Sequence, residues 1–210
     1  MCFSASASFS ASAVLAVIGL VSLTLIKDRY WIPVALVPVF FGIQQFAEGL
    51  VWLYQWPQAA LVFLFFAFVV WPFYIPWSCY MLESDNEKRS LLFGLAVIGL
   101  GVSLCLLFGL WRSDMTFYIQ NCHIVYDLMS GFLGCPTIWK ILTACYCLVT
   151  IAPFFISSLR CMKITGMLIA GSCMLAYLFY TFYFISVWCF FAALVSNMIL
   201  IIIDKNKGKK

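Results

Sequence analysis

Glu48 lies in the stretch FGIQQFAEGLVW, inside an apolar run where an ionisable side chain needs a reason to be. On insertion scales an acidic residue near the bilayer centre costs at least ~2.5 kcal/mol. Gln44 and Gln45 precede it by four and three residues and Trp52 follows by four, so a helix places all four on one stripe. Such a stripe faces a bundle interior rather than lipid. It is either an interhelical hydrogen-bond cluster that joins helices or the charged element of a binding or proton-exchanging site.

Three further residues carry reactive or metal-ligating groups. Cys2 would offer both a thiolate and a free amine once Met1 is removed, as a bidentate metal ligand or a nucleophile with its own base. His123 is the only histidine in the chain, and Asp127 follows it at a spacing of four. Cys, His, Glu and Asp together are the usual ligand set for a divalent metal ion, which would be the cofactor if one is held. No ligand spacing is fixed within a single helix, so Cys2, Glu48, His123 and Asp127 stand as candidates. The ten cysteines show no C-x-x-C pair. Most read as small apolar fillers, while Cys122 and Cys135 are a disulfide candidate if their side of the membrane is oxidising.

The elements that must position these residues follow from composition. A chain that is 65% hydrophobic and only 10% charged lacks the polar surface for a water-soluble globule of 210 residues. Its apolar runs suit spanning helices of about 20 residues rather than the shorter alternating strands of a barrel. The expected fold is all-α, a polytopic membrane helix bundle forming one domain over 1–210. Seven transmembrane helices are expected near 4–26, 31–54, 58–82, 90–111, 138–159, 164–180 and 183–203. Between Lys163 and Asp204 the chain carries no charge and no proline, so the last two spans must share a minimal turn near Tyr180–Tyr183.

Ten of the twelve Lys and Arg residues fall in every second connection or the C-terminal tail, leaving Arg112 and Lys140 on the other side. Because basic loops stay cytoplasmic, the N-terminus is expected outside and the C-terminus in the cytoplasm. The absence of a basic n-region argues against a signal peptide at 1–26. The net charge of +4 belongs to these flanks and gives no reason to expect a nucleic-acid partner. No span interior holds a lysine for a retinal Schiff base, and the proline positions of spans 1–3 and 5–7 do not repeat.

The connection 112–137 is the one polar stretch of any size. Within it TFYIQNCHIVYDL reads as a hairpin, Phe117–Gln120 and His123–Asp127 around Asn121–Cys122, with His123, Val125 and Asp127 on one face and Ile124 and Tyr126 on the other. It could lid the outer ends of the helices or merely connect them. This topology gathers Cys2 and Ser4, Glu48, His123, and Ser186, Trp188 and Cys189 of the last span on the outer side.

The segments MCFSASASF, FGIQQFAEGLVW, HIVYD and SVWCFFAALVS resemble a family of small multipass bacterial membrane proteins known only as a domain of unknown function. Its members open with MCFSA, carry Q-x-x-E-G-x-V-W in the second span and an outer-loop histidine, and place a W-C pair in the last span. The resemblance covers the whole chain and implies that Cys2, Ser4, Glu48, His123, Trp188 and Cys189 are family-type positions. It also implies a bacterial inner (plasma) membrane.

The expectation is an outward-facing polar pocket lined by Ser4, Gln44, Gln45, Glu48, Trp52, Ser186, Trp188 and Cys189, with Cys2 at its mouth. It would bind or pass a small molecule or metal ion, with the lipid bilayer as its surroundings. A membrane-embedded hydrolase or transferase using Cys2, Glu48 and His123 is the rival reading, and a structural or assembly protein the third. A homo-oligomer stays open.

Overall fold

Charge and proline cut the chain into apolar helical segments, and the fold follows from how these pack. The computed structural model describes residues 4–128 and 131–206. Among them seven helical spans are long and apolar enough to cross a membrane, Ala5–Leu25, Arg29–Tyr54, Pro57–Leu82, Asn86–Arg112, Pro136–Ile156, Arg160–Phe179 and Thr181–Lys205. The protein is an all-α polytopic membrane bundle.

Helix α1 (Ala5–Leu25) starts at Ser4, whose hydroxyl accepts from the Ala7 N–H. It buries Ser8, Ala11, Leu15, Gly19 and Ser22, a narrow stripe at helical spacing. This stripe lies on α2 (Ile32–Tyr54), where Ser12 donates to the Gly42 carbonyl at 2.8 Å and the Phe9 ring rests on Gly49. Small residues let the two backbones approach. Ser6 and Ser10 of the opening serine run are exposed on the other flank.

The third span is not a uniform helix. It consists of α3 (Pro57–Phe65), a π-helical turn (Phe66–Val70) and α4 (Trp71–Leu82). In the widened turn the Trp71 N–H bonds the Phe66 carbonyl, five residues back. The next donor in that register would be residue 72, a proline with no N–H. The freed Ala67 carbonyl instead accepts from the Tyr146 hydroxyl at 2.6 Å, and Val69 accepts from Ser103 at 2.7 Å. Pro76 likewise leaves the Pro72 carbonyl without its helical donor, and Gly99 of α5 (Asn86–Arg112) packs against that carbonyl where a Cβ would collide. At Ala67 a side chain of a neighbouring span thus restores the hydrogen bond that Pro72 removes, and at Pro72 the neighbouring backbone packs over the freed carbonyl.

Strands β1 (Thr116–Gln120) and β2 (His123–Asp127) pair antiparallel, with Gln120 opposite His123. Asn121 and Cys122 take φ of 50° and 58°, the left-handed pair of a two-residue hairpin turn. Helices α6 (Pro136–Ile156) and α7 (Arg160–Phe179) follow. A short 3-10 turn, Thr181–Tyr183, reverses the chain. The last span divides into α8 (Phe184–Val195) and α9 (Met198–Asn206) at Ser196–Asn197. At the opposite membrane face Glu83 accepts from the Ser158 N–H at 2.8 Å and Lys88 donates to the Ser158 hydroxyl at 2.9 Å, joining two of the basic connections.

Candidate functional site

Helix α2 is the most enclosed span, so its polar stripe is buried: Gln44 and Gln45 are 0% exposed and Glu48 2%. The two neighbouring amides have different fates. Gln44 accepts from the Trp71 indole N–H at 2.8 Å and donates to the Phe63 carbonyl at 3.4 Å, so it ties α2 to both flanks of the π turn. Gln45 lies beside the Glu48 carboxyl and its amide acts on that acid, yet neither amide atom makes a hydrogen bond of good geometry to any protein group.

Glu48 Oε1 accepts from the Ser186 hydroxyl of α8 at 2.5 Å. One turn further along α8 the Cys189 thiol meets Gln44 and lies within electrostatic reach of Glu48. No basic side chain acts on Glu48 among the described residues.

The hairpin covers this cluster with its apolar face, since that is the face the hydrophobic effect drives inward. Ile124 is 1% exposed, and the Tyr126 ring stacks on Phe63 at 5.0 Å between centroids. The Tyr126 phenol is buried without a hydrogen-bond partner, and Glu48 and Cys189 both act on it. Burial, with those two groups beside it, raises its pKa well above the ordinary tyrosine value, so it stays a proton donor at neutral pH. Trp52 and Trp188 also bury indole N–H groups without partners.

The expected set is therefore only partly brought together. Gln44, Gln45, Glu48, Ser186 and Cys189 converge, with Tyr126 above them. Trp188 turns toward α6 instead, its ring 5.6 Å from Tyr146 and 5.3 Å from Phe184. Ser4 caps α1 and shares a hydrogen bond with Ser6. His123 reaches the 180–183 turn, stacked on Tyr183 at 4.5 Å, with its Nδ1 2.7 Å from the Asn121 carbonyl oxygen. Asp127 is exposed. Cys122 sits in the hairpin turn and Cys135 at the start of α6, both exposed. Cys2 lies outside the described residues.

Among the described residues no three of His, Cys, Asp and Glu gather as a metal site. Hydrogen-bonding groups surround Glu48 instead of a ligand set. Sequence reasoning missed Tyr126, which shares its inward face with Ile124, and Trp71, whose role nothing in its own neighbourhood signals.

The fold and the site define a polytopic membrane protein with a buried carboxyl under an extramembrane hairpin. A family model matches residues 1–210, and the chain belongs to that family, described as "Family of unknown function (DUF6629)". No curated protein matches the chain, and no solved structure does.

Proposed function

We propose that the protein binds a small hydrogen-bonding molecule at Glu48 and exchanges it with the outer side of a bacterial inner membrane, with the β1–β2 hairpin as the lid over a closed site. The observation that carries this reading is the Gln45 amide, fully buried with only the Glu48 carboxyl to act on and no well-formed hydrogen bond at either of its polar atoms. A buried polar group left unsatisfied costs about 1–3 kcal/mol, so native interiors rarely keep one without a use. Here such groups from three residues, Gln45, Trp52 and Tyr126, lie in the hairpin-side half with Glu48. Donors predominate among them, and Glu48 supplies the acceptor and the exchangeable proton. The outward assignment rests on the basic connections at the opposite face.

The test is retention. Protein purified into lipid nanodiscs is denatured, and the small molecules released are compared by mass spectrometry for wild type, Glu48→Gln and Tyr126→Phe. A species held by the wild type and lost from both variants, with thermal stability kept, supports the reading. If all three release the same lipids and nothing else, the cluster is helix-joining structure.

A further inference from the structure

A second space lies below the Glu48 cluster, toward the basic face. It is a partly open cavity of about 60 Å³ lined by α2, α4, α6, α7, α8 and α9, with Val37, Ile75, Met162 and Ile199 among its walls. Trp71, which donates to Gln44, and Cys189 border both spaces, while Glu48 and Gln45 do not line the cavity.

The polar residues in the walls offer the space almost nothing. The hydroxyls of Ser78, Thr150, Thr165 and Ser196 donate back to carbonyls of their own helices, those of Ile75, Tyr146, Cys161 and Ala193. The Tyr146 hydroxyl is engaged by Ala67. A water needs two to four polar partners, which these walls lack, and an apolar cavity of this kind stays dry and takes apolar guests. One donor breaks the pattern. Trp188 lines the cavity, is 7% exposed, and its indole N–H has no partner.

We infer that this cavity holds the end of the apolar chain of a membrane amphiphile, with the Trp188 N–H donating to an oxygen carried a few carbons from that end. The volume suits a few carbons rather than a ring system, and the surrounding bilayer is the source of such chains. The inference is independent of the Glu48 reading, since it rests on the apolar walls and Trp188 and not on Glu48 or Gln45, neither of which lines the cavity. The break at Ser196–Asn197 places irregular backbone at the cavity wall, where α8 and α9 can part to admit a chain.

The experiment uses the full chain in nanodiscs and two probes, an alcohol with its hydroxyl a few carbons from the chain end and a phospholipid, each with a diazirine at that chain end, and the matching alkane as the reference. After irradiation, adducts are mapped by mass spectrometry. Labelling of Met162, Val37 or Ile199 by either probe is expected, and the more effective probe tells a free amphiphile from a bilayer lipid. Val37→Phe and Ala192→Leu, two independent ways to fill the space, should abolish it. Trp188→Phe should weaken labelling by the alcohol about two- to tenfold relative to an alkane of equal length, the worth of one hydrogen bond. Adducts confined to lipid-facing residues such as Leu20, Leu104 and Phe179, with filled variants labelled like wild type, would overturn the inference. That result would leave retention at Glu48 untouched.

Discussion

Replacing Gln44 and Gln45 by leucine, one at a time, should move stability in different directions although the residues are adjacent. Gln44→Leu removes the acceptor of a 2.8 Å bond from the Trp71 indole, and Trp71 is only 3% exposed. The stranded N–H costs about 1–3 kcal/mol. The Phe63 carbonyl loses only a long 3.4 Å contact and keeps its helical donor, Phe66, so it adds little. At roughly 2–4 °C per kcal/mol for a chain of this size, the unfolding temperature should fall by roughly 2–12 °C. Gln45→Leu takes away two polar atoms that make no well-formed hydrogen bond, one of them acting on Glu48, and fills the same space with hydrocarbon. Its unfolding temperature should hold or rise, by up to the same 1–3 kcal/mol of relieved desolvation. Intrinsic tryptophan fluorescence during heating in mild detergent reads both. If Gln45→Leu is as damaging as Gln44→Leu, the Gln45 amide has a structural partner and the distinction between joining residue and site residue collapses.

Three further outcomes follow from the same contacts. Glu83 is buried at the end of α4; burial opposes its charge, but the backbone N–H groups of Ser158, Asp85 and Ser84 outweigh it and hold its carboxyl below the ordinary value. Its contribution is complete above the unfolded carboxyl value of about 4.3 and is lost as pH falls through the lower folded value. The stability gap between wild type and Glu83→Gln should therefore be constant from pH 7 to 5 and shrink below about 4, measured by thermal unfolding. Gly99→Ala places a methyl group on the Pro72 carbonyl and should destabilise by about 1–3 kcal/mol, whereas Gly94→Ala, facing open space, should stabilise the helix by up to about 1 kcal/mol. Tyr146→Phe strands the Ala67 carbonyl in the bundle and should cost about 1–3 kcal/mol in chemical unfolding.

Much of the bundle is legible in the sequence because charges fall between apolar runs of spanning length. The charge-free stretch between Lys163 and Asp204 also shows that two spans must meet near residue 180, where the Thr181–Tyr183 turn lies. The break at Ser196–Asn197 has no such mark, since neither glycine nor proline interrupts the run. Prolines 72 and 76 announce a disturbed third span, but not that Tyr146 donates to one freed carbonyl and Gly99 packs over the other, because both come from other spans. The fate of Gln44 depends on Trp71, 27 residues away, and no local pattern separates it from Gln45. Alternation in HIVYD sorts His123 from Tyr126, but attention to ionisable groups favoured His123. The hydrophobic effect favours Tyr126 as the side chain that faces the acid.

The acid at position 48 is the feature that a purely structural account has most difficulty absorbing. Gln44 demonstrates that an amide joins spans in this bundle, with a donor and an acceptor both engaged. A glutamine at 48 could accept from Ser186 just as the carboxyl does. An acid at the centre of a span costs ~2.5–3.5 kcal/mol and one nearer the end, like Glu48, a part of that, while a single hydrogen bond contributes about 0.5–1.5 kcal/mol, or 1.5–3 when one group is charged. Joining α2 to α8 is therefore achieved at least as well by the amide. What glutamine cannot do is take up and release a proton, or accept at both oxygens from an incoming donor. Those are the capacities that a closed site beneath the neutral Tyr126 phenol would use, and Glu48→Gln should remove them while leaving the fold at least as stable.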